Sequence, residues 1–208
     1  MLMSQEINLE AKPYSSSIDK SFRHNILWNK RFPEEPKDGW ATPDSWYKLF
    51  DDLIRSTIVC KFIDGPGIIA TALSEHATQT GLDCDYSPRA NERGYYAFHH
   101  YTKFPMKLAD ADFNPRPVDL TLELQLTTQL QEVLRELTHP LYERARLTSE
   151  PRDDKWKWEY ENPKFQTSYL GHTLHLIEAI IIQVRDAANK RQSASPDEQI
   201  DPHGPRNS

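Results

Sequence analysis

The sequence predicts an α/β (α+β) domain in which helices flank a mixed, mainly antiparallel sheet of about five strands. Apolar and polar residues alternate strictly over Val118–Thr127, which is the period of a strand with one buried face. The run Ser56–Ile63 is β-branched and apolar, as a buried strand requires. Apolar residues at helical spacing, as in Ile68–Thr80, separate or follow these strands.

Length and composition indicate one folded domain. The chain has 208 residues, of which 38% are hydrophobic, so it can close one core of ordinary size. Residues 1–20 are polar and unpatterned, and residues 190–208 combine Pro, Gly, Ser and charge. We therefore expect a flexible N-terminus, a domain over residues 21–189 and a disordered tail.

Charge, cysteine content and hydropathy exclude several classes of protein. The formal net charge of −6 argues against non-specific binding to a long phosphate backbone, although a local basic pocket stays open. Cys60 and Cys84 are too few for a disulfide-stapled scaffold or a structural zinc site, and small core hydrophobes are expected there. The most apolar segment, Ile180–Val184, is far shorter than a membrane span, and residues 1–12 lack a secretory pattern. A cytoplasmic protein with no membrane partner is expected.

The first half of the chain is predicted to open with a β-α-β unit. Thr42-Pro43-Asp44 is a helix-start signal, because Thr can cap, Pro suits the first turn and Asp favours the positive end of the dipole. Asp64-Gly65-Pro66-Gly67 predicts a turn and lacks the Lys-Ser/Thr ending of a phosphate loop. The elements in order are a helix from Thr42 to about Ile54, a strand over Ser56–Ile63, a helix over Ile68–Thr80 closed by Gly81, and a short strand over Leu82–Tyr86.

The second half is predicted to contain a long hairpin and two helices. The elements are a polar loop over Ser87–Arg93, an aromatic strand over Gly94–Phe104, a loop over Asp110–Pro117, the alternating strand, a long helix with Leu130, Val133, Leu134, Leu137 and Leu141 inward, and a final helix over about Phe165–Ala188. The final helix carries an apolar stripe, which either caps the core or pairs with a second copy in a homo-oligomer.

Polar residues on two strands are the first candidates for a site. Glu123 and Gln125 leave the same face of their strand, opposite its apolar residues. From this strand alone a solvated sheet face is the favoured interpretation. On the preceding strand Tyr95, His99 and Tyr101 share one face, which would suit stacking on a base, whereas cross-strand packing is the commoner use of such aromatics.

Two acidic or histidine clusters are weaker candidates. Asp51-Asp52 at the end of the predicted helix could expose a magnesium ligand, although a surface role is favoured for the pair taken alone. His172, His175 and Glu178 follow a spacing of three and could form a metal stripe. Ordinary helix-surface residues are favoured there, since nothing nearby completes a coordination set.

Three motifs in order resemble those of the RelA/SpoT family of alarmone synthetases. They are Asp52-Leu-Ile-Arg-Ser-Thr-Ile58, Gly94-Tyr-Tyr-Ala-Phe-His99 and Glu123-Leu-Gln-Leu-Thr-Thr128, followed by His139. The family forms are D-[LI]-x-G-x-R-[IV], G-Y-R-S-x-H and E-[IV]-Q-[IL]-R-T, the last followed by a helix with a Glu-His pair. The resemblance covers about Phe50 to Tyr142 and implies a nucleotidyltransferase-like synthetase core.

The resemblance also implies a reaction. Family members transfer the pyrophosphoryl group of ATP to the 3′-hydroxyl of GDP or GTP, and some toxin-like small members modify the 3′ end of tRNA. By resemblance, Asp52 and Glu123 would hold Mg²⁺, Glu123 would also activate the attacking hydroxyl, and Tyr95 would stack on the acceptor base. The further residues implied to line the site are His99, Gln125 and His139. Positioning and charge neutralisation are what such a transfer needs.

The chain departs from the family at its cations. Thr57, Tyr96 and Thr127 stand where the family has Arg, and Thr138 stands where its Glu precedes the His. The family has a basic ATP-binding segment, R-x-K with a later Ser and Lys. This chain shows no good match to it upstream of Asp52, where the cations noted are Arg23, Lys30, Arg31 and Lys48 in other spacings. We expect substitute cations at shifted positions, namely Arg55, Lys61, Arg89 and Arg93. The alternatives are a pseudoenzyme that keeps the fold as a nucleotide- or partner-binding module, and a purely structural homo-oligomer.

Overall fold

The computed structural model of the chain describes residues 7–109, 112–147 and 154–193. Its elements in chain order are β1 (Glu10–Ala11), α1 (Tyr14–Phe22) continued by a π-helical turn (Arg23–Leu27), α2 (Trp46–Leu49), β2 (Ile54–Cys60), α3 (Gly65–Thr80), β3 (Cys84–Ala90), β4 (Tyr96–Ala109), β5 (Pro115–Thr128), α4 (Gln129–Leu147), a 3₁₀ turn (Lys155–Lys157) and α5 (Pro163–Ser193).

The strands form one five-stranded sheet in the order β1-β2-β5-β4-β3. β2 and β5 are parallel, and the other three neighbouring pairs are antiparallel. The predicted mixed, mainly antiparallel sheet with flanking helices is confirmed. β5 is central, between β2 and the long hairpin partner β4, so its side chains are covered by neighbours on both edges.

The hydrophobic core lies between the sheet and α3. Ile58, Leu124 and Leu126 project from the central strands against Ala70 of α3. α3 approaches the sheet closely, because a Cβ on Gly65 would lie 2.7 Å from the Cβ of the fully buried Cys60. The apolar side of the alternating strand is therefore the core side, as its period predicts.

The N-terminal segment differs from the prediction. Glu10 and Ala11 pair with Arg55 and Ile54 at the edge of the sheet, and α1 follows at once. Ser21 of α1 is buried and accepts a hydrogen bond of 2.7 Å from the Trp46 indole. The expectation of an unpacked segment up to residue 20 is wrong for residues 10–20, because α1 packs through small polar side chains that give no apolar period.

Two predictions in the first half change for local reasons. The helix expected from Thr42 is confined to Trp46–Leu49. Ser45 Oγ accepts a hydrogen bond from the Thr42 N–H and donates one to the Trp40 carbonyl, and these bonds fix a turn before the helix. The Asp64–Gly67 segment is no separate turn: Gly65 and Pro66 belong to the first turn of α3. Pro is tolerated at that position because its missing N–H would have no helical partner.

Strand boundaries differ on both sides of the hairpin. β3 runs to Ala90, so the predicted polar loop over Ser87–Arg93 is strand for its first four residues. β4 extends to Ala109 and β5 begins at Pro115, which shortens the predicted loop, of which residues 110–111 lie outside the described residues. Gly81 closes α3 in the left-handed region at φ 72°, as predicted.

The two C-terminal helices pack differently from their apolar patterns. Val133 and Leu137 of α4, predicted inward, are 49% and 70% exposed, whereas Gln131 and Thr138 are buried. α4 follows the polar end of β5 and faces α5 there, so its buried side is partly polar. The side chain of Leu141 lies outside the described residues, and no helix of the described ranges is both long and apolar enough to cross a membrane.

α5 docks on the start of β4 through two glycines. A Cβ on Gly171 would lie 2.4 Å from the Gly94 carbonyl oxygen, and a Cβ on Gly94 would lie 2.3 Å from the Ser168 carbonyl oxygen. Only hydrogen fits at either position. α5 continues to Ser193, so the disordered tail expected from residue 190 is wrong for 190–193, while 194–208 lie outside the described residues.

Candidate functional site

The polar face of β5 is covered. Glu123 is 5% exposed, and Thr121 and Thr127 on the same face are also buried. Glu123 lies in register with Tyr101 of β4 on one side and with Arg55 of β2 on the other. The interpretation of this face as solvated sheet is therefore wrong, and the carboxylate is held inside the protein.

A hydrogen-bonded cluster surrounds Glu123. His99 Nδ1 lies 2.7 Å from Glu123 Oε1, and Tyr95 Oη lies 2.8 Å from His99 Nε2. Tyr101 donates to Glu123 Oε1 at 3.2 Å, and Gln125 Nε2 lies 3.4 Å from Glu123 Oε2. His99 thus contacts the carboxylate through one ring nitrogen and the Tyr95 hydroxyl through the other. The strand period predicted that Glu123 and Gln125 share one face and that Tyr95, His99 and Tyr101 share another, and the sheet brings the two sets together.

This cluster shifts the ionisation of its members. Burial raises the pKa of Glu123, but the hydrogen bond and charge of His99 outweigh it, so that the pKa lies below its ordinary value. Burial, followed by the negative charge of Glu123, raises the pKa of Tyr95 to about 12, and the same two causes raise the pKa of Tyr101 to about 12. Glu123 is accordingly ionised at neutral pH while both phenols keep their protons.

Asp52 lies beside this cluster with two ammonium groups. Lys12 Nζ is 2.8 Å from one carboxylate oxygen and Lys20 Nζ is 2.6 Å from the other. Burial raises the pKa of Asp52, but the hydrogen bonds and charges of the two lysines bring it below its ordinary value. Asp52 is near enough to Glu123 for its charge to raise the pKa of that carboxyl. Asp52 follows α2 in a turn, and the surface role favoured for it does not hold.

The donor set fits Mg²⁺. Mg²⁺ is usually held by one or two carboxylates, with waters and substrate phosphates completing its octahedron. Asp52 and Glu123 supply two carboxylates that are near enough for the charge of Asp52 to raise the pKa of Glu123. No group of three or more His, Cys, Asp and Glu side chains within the described ranges is arranged to hold a metal, so a cage made by protein alone is not the kind of site present there.

Lys12 and Lys20 place two cations beside the Asp52 carboxylate, in a part of the chain where no basic segment was expected. Lys12, Ser15–Ser17 and Lys20 stand in the order of the Lys, Ser and later Lys of the form R-x-K, but Glu10 stands at the position of its Arg. The segment is brought to Asp52 by β1, which pairs with β2 immediately after Asp52. The signal was present in the sequence, inside a stretch expected to be flexible.

The four cations expected as substitutes lie in different places. Arg55 shares the Glu123 face of the sheet and lies 3.7 Å from Glu10, and Arg89 of β3 lies near enough to Tyr101 to lower the pKa of its phenol. Lys61 follows the far end of β2, beyond Cys60, which pairs with Thr128. Arg93 lies exposed in the turn between β3 and β4. Arg55 and Arg89 are thus brought to the cluster, and Lys61 is not.

α4 contributes a residue that sequence reasoning missed. Arg135 is bonded to Glu132 at 2.8 Å through Nε, and its positive charge lowers the pKa of Tyr95. Nothing in the helical pattern distinguished this cation from an ordinary surface pair. His139, one turn further on, is exposed.

The threonines and tyrosine that replace family residues are packed into the structure. Thr127 donates to the Tyr96 carbonyl at 3.3 Å, and the Tyr96 hydroxyl lies 2.7 Å from His172 Nδ1. Thr138 is buried and donates to the Leu134 carbonyl at 2.8 Å. Thr57 lies in register with Gln125. Tyr96, Thr127 and Thr138 therefore have hydrogen-bonding roles of their own.

The histidine stripe of α5 also departs from its prediction. Glu178 is 5% exposed, and His175 stacks on Tyr96 with ring centroids 3.6 Å apart. The expectation that His172, His175 and Glu178 are ordinary helix-surface residues is therefore wrong.

Comparison with known proteins identifies the fold. No protein-family model matches the chain, and no curated protein sequence matches it. Small alarmone synthetase 1 from Bacillus subtilis matches with a TM-score of 0.61 at 15% identity, over 89% of this chain and 81% of that one. A GTP pyrophosphokinase family protein from Streptococcus pneumoniae matches with a TM-score of 0.56 at 15% identity, over 93% and 81%. The chain therefore has the fold of small alarmone synthetases.

The matched structures include liganded forms of the first relative. Small alarmone synthetase 1 from Bacillus subtilis has been solved bound to its product pppGpp, where the TM-score is 0.59 at 15% identity over 89% of this chain and 80% of that one. It has also been solved bound to AMPCPP, where the TM-score is 0.52 at 16% identity over 89% and 79%.

Proposed function

We propose that this chain is a divergent pyrophosphokinase of the RelA/SpoT type, which moves the pyrophosphoryl group of ATP to a 3′-hydroxyl and releases AMP. The observation that carries the proposal is the buried, ionised Glu123, held by His99 and Gln125 within the electrostatic reach of Asp52 and its two lysines. The acceptor is GDP, GTP or another nucleotide, or the 3′ end of a tRNA in the manner of toxin-like members.

Each residue of the cluster has a proposed role. Glu123 takes the proton of the attacking hydroxyl, for which its lowered pKa keeps it ionised. Tyr95, whose hydroxyl is fixed by His99, presents its ring to the acceptor base. Asp52 and Glu123 hold Mg²⁺, which would neutralise charge on the phosphates of ATP. Gln125 orients Glu123, and His139 is proposed to line the same site from α4.

Cations around the cluster are proposed to bind phosphate. Lys12 and Lys20 are the first pair, because their ammonium groups already converge on one carboxylate and could turn to nearby phosphate oxygens. Arg55, Arg89 and Arg135 are the second group, since each lies beside a member of the cluster. They would stand in for the three family Arg side chains that this chain lacks.

Label transfer tests the proposal. The protein is incubated with ATP labelled at the γ-phosphate, Mg²⁺ and, in separate reactions, GDP, GTP, ADP, ATP or bulk tRNA. We expect label in one acceptor class, with the rate reduced at least about 100-fold in Glu123→Gln, the usual minimum for loss of a general base. The matched control is Glu75→Gln, an exposed carboxyl on α3. Absence of transfer to every acceptor contradicts the enzymatic proposal.

A second candidate function is a nucleotide- or partner-binding module without catalysis. The observation that favours it is the packing of Tyr96, Thr127 and Thr138 into hydrogen bonds at positions where the family carries Arg or Glu. In that case nucleotide binding is measurable by calorimetry while label transfer is not. Retained binding together with absent transfer identifies this function.

A further inference from the structure

A cavity lies beside the Glu123 cluster and shares Arg89 with it. It has a volume of about 250 Å³ and lies where β4 begins and β5 ends, beneath α5. Pro66 and Phe98 give it apolar walls, and Thr128, His175 and Glu178 give it a polar end. Its lining does not include Asp52, Glu123, His99 or Gln125. The volume is below the range of about 300–1,000 Å³ typical of drug-sized ligands and suits one small ring system.

Two atoms at the polar end have no hydrogen-bond partner among the described residues. They are Glu178 Oε2 and His175 Nδ1, which are buried and lie 3.9 Å apart, too far for a hydrogen bond with each other. Thr128 and Gln131 are near enough to lower the pKa of the Glu178 carboxyl, but Oε2 has no hydrogen-bond partner among the described residues. A buried polar atom without a partner costs about 1–3 kcal/mol, so a pair of them side by side points to a missing ligand group.

The charge state of the pair limits what the ligand can be. Burial raises the pKa of Glu178, and the hydrogen bonds from Thr128 and Gln131 offset this in part. Burial, followed by the charge of His172, lowers the pKa of His175, so its ring is neutral at pH 7. A neutral imidazole has one nitrogen without a proton, and Nδ1 can therefore accept a hydrogen bond. Both unpaired atoms can serve as acceptors, which favours a ligand that donates.

The walls favour a flat ligand. The Tyr96 ring lies parallel to the His175 ring at 3°, and the Tyr96 hydroxyl is bonded to His172 at 2.7 Å, so the ring pair is fixed at two points. Phe98 and Pro66 also line the cavity, so it offers planar and apolar surface to a ring rather than a shell for a hydrated ion.

We propose that this cavity binds a small planar nitrogen heterocycle that carries an amino group, with the amino group between Glu178 Oε2 and His175 Nδ1. One –NH₂ can donate to two acceptors 3.9 Å apart at about 2.9 Å from each. The proposal does not depend on pyrophosphoryl transfer, because the cavity lining and the catalytic cluster share neither carboxylate.

Paired nucleosides that differ only in the amino group test the proposal. Calorimetry on the full chain compares adenosine with purine riboside and guanosine with inosine. We expect the amino-bearing member of at least one pair to bind about tenfold more tightly or better, as the loss of a charge-assisted hydrogen bond implies. Equal affinities within both pairs, or no binding at all, overturn the proposal, and equal affinities would indicate that water alone fills the polar end.

Two variants assign the binding to this cavity. Glu178→Leu is expected to abolish the preference, and it should fold because an apolar side chain of similar size replaces a carboxyl with an unpaired oxygen. Glu123→Gln is the matched control and is expected to keep the preference. In the unmutated protein the imidazole ¹⁵N resonances of His175 should shift on binding while those of His99 do not. A preference that is lost in Glu123→Gln but kept in Glu178→Leu, or a shift of the His99 resonances without one of His175, would place the ligand in the Glu123 cluster and contradict the proposal.

Discussion

A single imidazole controls the ionisation of the central carboxylate. His99 lies 2.7 Å from Glu123 and is the strongest influence that keeps the Glu123 pKa low against burial. The hydrogen bonds from other donors to this carboxylate, such as that from Tyr101 at 3.2 Å, are longer. The protonation of Glu123, and with it any proton transfer at this site, should therefore follow His99 more than its other neighbours.

Replacing His99 tests this directly. In His99→Gln the loss of the imidazole should raise the pKa of Glu123, because burial then acts with less opposition. Titration of the Glu123 side-chain carboxyl by ¹³C NMR measures the shift, and Tyr101→Phe, which keeps the imidazole, should move the pKa less. If label transfer is found, the acid limb of its pH profile should move to higher pH in His99→Gln. An unchanged Glu123 titration would contradict this assignment.

Asp52 depends in the same way on its two lysines. A lowered folded-state pKa contributes stability that is present above the ordinary Asp value of 3.8 and is lost as the pH falls through the folded-state value. Lys20→Met should therefore lower the free energy of unfolding at pH 7 by about 1 kcal/mol, and by less near pH 3. Urea denaturation at both pH values measures the difference, with exposed Lys37→Met as the control. A loss that is equal at the two pH values would mean that Lys20 acts by packing alone.

At the scale of elements, the docking of α5 depends on close contact between two backbones. Gly171 and Gly94 meet where a Cβ on Gly171 would come within 2.4 Å of a carbonyl oxygen. Backbone cannot move aside as a flexible side chain can. The position of α5, and the cavity beneath it, should therefore be sensitive to one methyl group at this contact.

Two glycine-to-alanine changes within helices distinguish the effect of this close contact on stability from the effect of helix propensity. Gly171→Ala should destabilise the fold by roughly 1–3 kcal/mol, because overpacking outweighs the gain in helix propensity. Gly67→Ala places its Cβ 3.5 Å from the Phe98 ring, an ordinary contact, and should be neutral or stabilising by up to about 1 kcal/mol. Chemical denaturation of both variants provides the comparison. Equal changes in the free energy of unfolding for the two variants would contradict a stability cost from the close contact at Gly171.

Elements with a strong local period could be predicted, and those held by distant contacts could not. The alternation in β5 predicted its core face, and the strand period placed Tyr95 and His99 on the side of Glu123. Lys12 pairs with Asp52, which lies 40 residues away in the sequence, and no local pattern predicts such a pairing. Glu178 is buried by the way α5 packs, although its place in the helical pattern is that of a surface residue.

At the scale of the whole molecule, sheet order brings the functional groups together. β5 lies between β2 and β4, so the residues of three motifs separated in sequence meet on one side of the sheet. β1 adds the N-terminal lysines at the β2 edge. The motifs carried the resemblance in order, and the fold shows why their order and spacing suffice. Tyr96 and Thr127 are hydrogen-bonded within this frame.

The outer face of α5 is the remaining large apolar feature. The sequence predicts a stripe of Leu170, Leu174, Ile177, Ile181 and Val184; all but the half-buried Leu174 are exposed, and the exposed Leu176 and Ile180 widen the apolar surface. Gly171 and Glu178 on the inner face pack toward the sheet, so this stripe points away from the core. A second copy of α5 presents the same stripe, and two such faces can bury each other. We therefore expect a homo-oligomer built through this helix.

Light scattering after size exclusion measures the mass that this packing predicts. The unmodified protein should have a mass that is a multiple of the 24.2 kDa chain, and Ile177→Lys, which places a charge in the centre of the stripe, should shift it toward the single-chain mass. Asn189→Lys adds the same charge to an exposed position of α5 outside the stripe and should leave the mass unchanged. If nucleotide binding is found, Ile177→Lys should keep it, because His99, Glu123 and Gln125 lie on β4 and β5. A single-chain mass for the unmodified protein at micromolar concentration, or dissociation by both variants alike, would contradict pairing through this stripe.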